Sequence, residues 1–370
     1  MTIDRIELRH IRMPFVLPFE TAGGREDQKD CILVRAWAGG ISGWAESPVP
    51  MTPFYMEETV ETAWPIMTRF LGPRVLGRPF AHPRELVEWL RPVRRHRLTK
   101  SGLEAAAWDL YARAQGISLA QALGGTQPRV AVGISVGIER TIDATLRRIE
   151  TWLAGGYRRI KTKIKPGWDV EVVAAIRGRF GNIPLQVDAN AAYTLRDVSR
   201  LQALDAYMLV MIEQPLDADD LVDHAALQRE LRTAVCLDES IGTADDARKA
   251  LDLGACRIVN VKAARMGGLS EAQRCHGLCQ ERGIPLWCGG LLETGVGRAA
   301  NIALASLPGF TLPADLGASR RYFHEDVIDP EVEVAPDGTV GVPSGPGLGF
   351  TVLEPVVERY TVRKETLRAS

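Results

Sequence analysis

Between residues 128 and about 320 the chain alternates two apolar patterns. Short apolar runs at 129–136, 158–164, 185–188, 208–213, 234–238, 257–261, 285–288 and 310–312 read as strands. Segments 142–153, 170–180, 195–204, 221–231, 244–253, 269–282 and 297–307 carry apolar residues at helical spacing. Eight strands separated by seven helices describe an α/β chain closed into a parallel barrel, with active residues expected at the carboxyl face.

The first part of the chain has a different rhythm. Segments 3–15 and 30–45 alternate polar and apolar residues like antiparallel strands, the second carrying a Gly39-Gly40 turn, and helical periodicity follows at 56–70, 83–90 and 101–115. Gly124-Gly125 and Pro128 mark a boundary. Beyond about residue 320 the alternation is lost and a turn-rich stretch occupies 342–349. These features predict a mixed α+β domain over 1–127, the barrel over 128–320, and a segment 321–370 that returns to the first domain.

Composition narrows the function classes. At 370 residues the chain exceeds the size of one ordinary core, and its 46% hydrophobic share can fill two. A formal charge of -1 leaves no basic face for a phosphate backbone or an anionic bilayer, so neither nucleic acid nor membrane is an expected partner. The amino terminus alternates charged and apolar residues and lacks the grammar of a leader, which predicts a cytoplasmic protein. The 6 cysteines contain no C-x-x-C pair and read as reduced core thiols; Cys275, His276 and Cys279 read as packing on an amphipathic helix, not as a metal site.

The candidate chemistry lies at the strand ends. Lys163, Asp188, Glu213, Asp238 and Lys262 each close an apolar run, and successive members are 25, 25, 25 and 24 positions apart. One strand, one helix and two loops consume about that length, so the five charges converge on one end of the barrel. A lone strand-end carboxylate is usually a cap for the next helix; three at equal spacing read as a cage of hard oxygens. Without histidine or thiolate the set favours Mg²⁺, with Mn²⁺ as a substitute, and the ion would bind a substrate carboxylate.

In Lys161-Thr-Lys163-Ile-Lys165 the lysines share one face and the isoleucines the other, which must meet helices, so the lysines point into the barrel or its mouth. Lys163 and Lys262 are then amines facing the cage from two sides, able to remove or return an α proton if partly neutral near pH 7. Lowering a lysine from ~10.4 to about 7 or 8 takes roughly 4 kcal/mol. Burial, a divalent ion and the cations Lys161 and Arg265 are expected to supply that. Asn190 and Glu239 are candidate supporting groups beside the carboxylates.

With these residues in place the chain resembles the enolase superfamily, in its muconate-lactonising subgroup with a K-x-K motif. The resemblance spans nearly the full length. It implies a capping domain over a (β/α)7β TIM-like barrel, Mg²⁺ on Asp188, Glu213 and Asp238, and acid/base roles for Lys163 and Lys262. Trp287-Cys-Gly-Gly-Leu-Leu-Glu-Thr-Gly-Val-Gly-Arg298, the neighbouring Asn301-Ile-Ala-Leu-Ala-Ser-Leu-Pro308, and Gly133-Ile-Ser-Val-Gly137 are similar to the o-succinylbenzoate synthase/N-succinylamino acid racemase family.

That resemblance implies syn dehydration in menaquinone synthesis, racemisation of N-acylated amino acids, or both, each beginning with an enediolate. It makes Lys163 the proton-abstracting base and Lys262 the second acid/base in racemisation, or a cation stabilising the intermediate in dehydration. Arg265 becomes an arginine that tunes Lys262; Ser135, Gly290 and Leu292 contact the succinyl arm, and Phe19 lies in the capping loop. Homo-oligomerisation is also implied.

The chain departs from the family at Ala263-Ala264, where Pro-Gly is usual, and in the charged segment 21–28. If that segment only gates access, Gly23→Ala or Arg25→Ala should change KM more than kcat. Within the superfamily, dipeptide epimerisation and muconate-type cycloisomerisation differ only in pocket residues. From other classes, an aldolase-like Schiff-base lysine has no use for three carboxylates, and an inactive assembly component has no use for two bases.

Overall fold

The computed structural model describes residues 1–369. Seven strands, Ile134–Val136, Ile160–Lys163, Leu185–Asp188, Ile212–Glu213, Val235–Leu237, Ile258–Val261 and Leu286–Cys288, form one sheet in chain order, each parallel to the next. The predicted eighth strand is reduced to two bridges: Phe310 pairs with Leu286 and Ala314 with Val132. Pro313 lacks the N–H that a continuous ladder would need there. Those bridges close the gap between the last and first strands.

Register then sets the site. Lys163 lies opposite Asp188, and Asp188 opposite Glu213, at the carboxyl ends of adjacent strands. The capping alternative is answered locally. Thr194 caps the turn after Asp188, Asp220 caps the helix after Glu213, and Thr243 caps Ala244–Leu253. The three strand-end carboxylates are therefore released from helix capping.

The cap is a four-stranded antiparallel sheet of Arg5–Thr21, Gly24–Ala38 and Ile41–Ser47, with Thr361–Arg368 added beside the first strand. Helix Arg97–Gln115 packs against it so closely that a Cβ on Gly43 would lie 2.5 Å from the Leu110 nitrogen. This helix also joins cap to barrel. Glu104 accepts from the Leu269 and Ser270 nitrogens at 2.8 and 3.0 Å, neutralising the amino end of helix Leu269–Glu281, which lacks a side-chain cap of its own.

Several expectations need correction. Segment 21–28 is the tip of a hairpin, with Phe19 opposite Glu26 and Thr21 opposite Gly24, because the long strands carry their pairing to the turn. The run 208–213 shortens to Ile212–Glu213, since Leu204–Tyr207 forms a 3-10 turn and Met208 takes a φ of 47°. Helix Leu119–Leu123, too short for a periodic signal, precedes the Gly124 boundary. After residue 320 the chain pairs Ile328–Asp329 with Thr351–Val352 and Thr339–Gly341 with Arg129–Ala131, and only Thr361–Arg368 joins the cap sheet.

Candidate active site

The five strand-end charges form one buried network. Asp188 Oδ2 accepts from Lys163 Nζ at 2.6 Å and lies 3.3 Å from Lys161 Nζ. Lys161 Nζ is also 3.2 Å from Glu213 Oε2. Asp238 Oδ2 accepts from Lys262 Nζ at 2.7 Å, while its Oδ1 accepts from the Tyr55 hydroxyl at 2.9 Å and from Arg265. Lys165, the third lysine of the ladder, is only half-buried and sits in the turn that bridges to Trp168.

Supporting residues fix the row. Asn190 takes a φ of 42°, donates to Glu239 Oε1 at 3.0 Å and accepts from Lys163 at 2.7 Å. Arg265 is fully buried and also donates to the Ile241 and Asn260 carbonyls at 2.8 and 2.6 Å, so it reaches Lys262 through Asp238.

Burial, then the Asp188 charge, pushes Glu213 up to about 8. Burial and the Asp238 charge likewise push Glu239 up to about 7. For Asp188 and Asp238 burial acts upward as well, but the adjoining cations win and hold both low. Burial favours a neutral Lys262, yet Asp238 overrides it and the ammonium is held protonated. At Lys262 the ion pair with a buried carboxylate outweighs desolvation.

Among the described residues no three His, Cys, Asp or Glu side chains stand as a ready-made ligating cluster, because each carboxylate is turned onto an ammonium. The donor chemistry nevertheless fits a hard divalent cation. Asp188, Glu213 and Asp238 are fully buried, their burial and then their mutual repulsion raise Glu213, and they offer only oxygens. Glu239 Oε2, buried without a partner, faces the same cluster.

Above the row lies a cavity of about 350 Å³ lined by Lys161, Lys163 and Lys262 from the barrel and by the cap hairpin. Phe19 covers Lys163, whose Nζ is 6.0 Å from the ring centroid. Ser135 donates to Asp315 Oδ2 at 2.9 Å. Gly290 leaves no room for a side chain, since a Cβ would meet the Asp315 carbonyl at 2.7 Å, and Leu292 holds a φ of 55°. At Gly23 a methyl would meet nothing nearer than 3.6 Å, whereas Gly24 has a φ of 146°. The backbone thus requires glycine at Gly24 and leaves room for a methyl at Gly23.

Three residues of the network escaped sequence reasoning. Asp315 lies 2.6 Å from Lys161 and pairs with Arg159 at 2.8 Å; it is a strand-end carboxylate, displaced three positions beyond the 310–312 run. Asn260 Nδ2 donates to Glu213 Oε1 at 2.7 Å from inside a strand, where alternation could have flagged an inward polar residue. Tyr55, in a cap loop without periodicity, accepts from Lys262 at 3.1 Å and gave no signal. Cys275 and Cys279 are buried, and His276 Nε2 bonds the Pro308 carbonyl oxygen at 2.6 Å, consistent with packing.

Residues 5–124 match the mandelate racemase/muconate lactonizing enzyme N-terminal domain, and residues 144–356 the enolase C-terminal domain-like family. The chain belongs to the enolase superfamily. Within it, this enzyme is 53% identical to an o-succinylbenzoate synthase of Geobacillus kaustophilus, over 98% of this chain and 96% of that one. It is 47% identical to an N-succinylamino acid racemase of Thermus thermophilus over 100% of both. A solved superfamily member from Listeria innocua superposes with a TM-score of 0.96 at 37% identity, covering 100% of each chain. No helix among the described residues is long and apolar enough to cross a membrane.

Proposed function

We propose that this enzyme removes the α proton of a carboxylate substrate with Lys163 and completes either dehydration, as an o-succinylbenzoate synthase, or reprotonation from the opposite side, as an N-succinylamino acid racemase. The observation that carries the reading is the placement of two lysines. Lys163 sits on Asp188 at 2.6 Å and Lys262 on Asp238 at 2.7 Å, with Glu213 on the strand between, and both ammonium groups line one cavity.

Mg²⁺, with Mn²⁺ as a substitute, would be held by Asp188, Glu213 and Asp238, and when bound would offset the charge that develops on the substrate carboxylate. Lys163 must lose its proton before it can act as base, and Asn190 Oδ1 at 2.7 Å keeps its Nζ oriented. In racemisation Lys262 gives its proton to the opposite face, the tyrosine hydroxyl at 3.1 Å fixing its approach. In dehydration Lys262 stays an ammonium beside the enediolate, and the hydroxyl leaves on the Lys163 face as water, taking the proton that Lys163 removed. Phe19 and the hairpin tip exclude water.

The test is a pair of assays with added Mg²⁺ and a chelated control: conversion of the succinyl-cyclohexadiene carboxylate to o-succinylbenzoate, and exchange of the α proton of an N-succinylamino acid in D₂O. Chelator-sensitive turnover in either supports the reading. Silence in both with a folded, Mg²⁺-binding protein overturns it.

A further inference from the structure

A second cavity, of about 240 Å³, borders the hairpin tip. Phe19 and Arg25 line both cavities. Between them the hairpin backbone is docked on the barrel: the Ile138 N–H donates to the Glu20 carbonyl at 3.0 Å, and a Cβ on Gly137 would meet that oxygen at 2.8 Å.

The second cavity is electropositive. Arg25, Arg140, Arg148 and Arg321 face it against Glu20 and Glu139. Arg25 pairs with Asp27, and Arg148 donates to Glu139 at 3.1 Å. Arg321 is only 7% exposed, has a buried Nε without a partner, and spends one donor on a long 3.4 Å bond to the Ser135 carbonyl. Its guanidinium lies over Trp152 and Tyr322, 5.0 and 5.3 Å from the ring centroids, and makes no ion pair among the described residues. Arginine keeps its charge in proteins, so this is a buried cation with free donors and no carboxylate in contact, Glu139 acting on it only from a distance, an arrangement that costs several kcal/mol unless an anion answers it. Ala144, in the first turn of helix Ile142–Ala154, adds the positive end of a helix to the wall.

We propose that this cavity is a second binding site, for a small oxyanion of the carboxylate or phosphate class, seated on Arg321 with Arg148 beside it and the exposed Arg140 at the rim. Guanidinium forks match both oxyanions. The volume is below the ~300–1,000 Å³ of pockets that take drug-sized ligands, which favours a small anion over a nucleotide. Because Phe19 and Arg25 are shared, an occupant braces the hairpin that covers Lys163. The inference stands apart from the substrate assignment.

Calorimetric titration of the full chain with Mg²⁺ present, using inorganic phosphate and, separately, succinate against chloride at constant ionic strength, tests it. One saturable site is expected, with Kd raised about tenfold or more in Arg140→Ala and in Arg321→Met, the loss of one charge-assisted hydrogen bond. Should Arg321→Met fail to fold, Arg148→Ala takes its place. Binding of phosphate alone, succinate alone or both supports the site and names its ligand. Heats equal to chloride for both anions, or an affinity unmoved by the arginine substitutions, overturn it.

Discussion

Arg265 and Lys262 share one carboxylate: the guanidinium holds Asp238 Oδ1 and the ammonium donates to Oδ2 at 2.7 Å. Arg265 therefore competes for the negative charge that keeps Lys262 protonated. Arg265→Gln should leave Asp238 a stronger partner for Lys262 and make that lysine a poorer base. Racemisation is expected to fall about tenfold or more, one factor of ten per 1.4 kcal/mol, with dehydration changing less. Parallel steady-state assays of the two reactions check this; equal losses in both would contradict it.

The two lysines should separate the reactions. Lys163→Ala is expected to lower both activities by roughly 10²–10⁴-fold, the usual worth of a positioned base. Lys262→Ala should do the same to racemisation and be milder for dehydration. Proton exchange in D₂O reads the faces singly: each variant should retain exchange only with the enantiomer that its remaining lysine can reach.

Metal removal should abolish turnover, and Mg²⁺ should restore it. Asn260 touches no cavity atom but holds Glu213 Oε1 at 2.7 Å, so Asn260→Ala should weaken the apparent Mg²⁺ affinity by about 10–100-fold while saturating Mg²⁺ recovers much of kcat. Titration of activity against Mg²⁺ measures both quantities.

The hairpin tip offers a steric contrast. Gly23→Ala meets only ordinary contacts and should leave KM within about twofold, whereas Gly24→Ala forces a side chain onto a φ of 146°, a strain of order 1–3 kcal/mol. Gly24→Ala should raise KM more than it lowers kcat if the tip gates access. Substrate saturation curves for both variants decide it.

Glu46 links stability to pH. Burial, offset by Lys29 and reinforced by Glu293, pushes its carboxyl up to about 6 from 4.5. A carboxyl raised on folding binds its proton more readily in the native state, so its contribution is complete below 4.5 and is lost as pH rises through 6. That loss is about 2 kcal/mol at 1.36 per unit. Glu46→Gln should flatten the Tm dependence between pH 4.5 and 6, read by calorimetry; an unchanged slope would count against the assignment.

The alternation after residue 128 and the strand-end charges were legible because both are local. A fully buried parallel strand must be apolar along its length, so a charge that closes one stands out, and equal spacing follows from the length of one βα unit. Sequence spacing alone thus places Lys163, Asp188 and Glu213 side by side, with the supporting positions Asn190 and Glu239 next to them.

Contacts between distant segments were decided only by tertiary structure. Tyr55 reaches Asp238 across 183 positions and Asp315 meets Ser135 across 180, neither announced by a period or a spacing. The protonation of Lys262 belongs to the same class. Burial alone, which the sequence implies, would have driven that lysine toward neutrality, and it is Asp238, brought within 2.7 Å by the sheet, that reverses the sign. Local pattern determines which chemistry is available at the barrel mouth; the distances between charges and the dielectric around them, which set each interaction and which sequence spacing does not carry, determine its state.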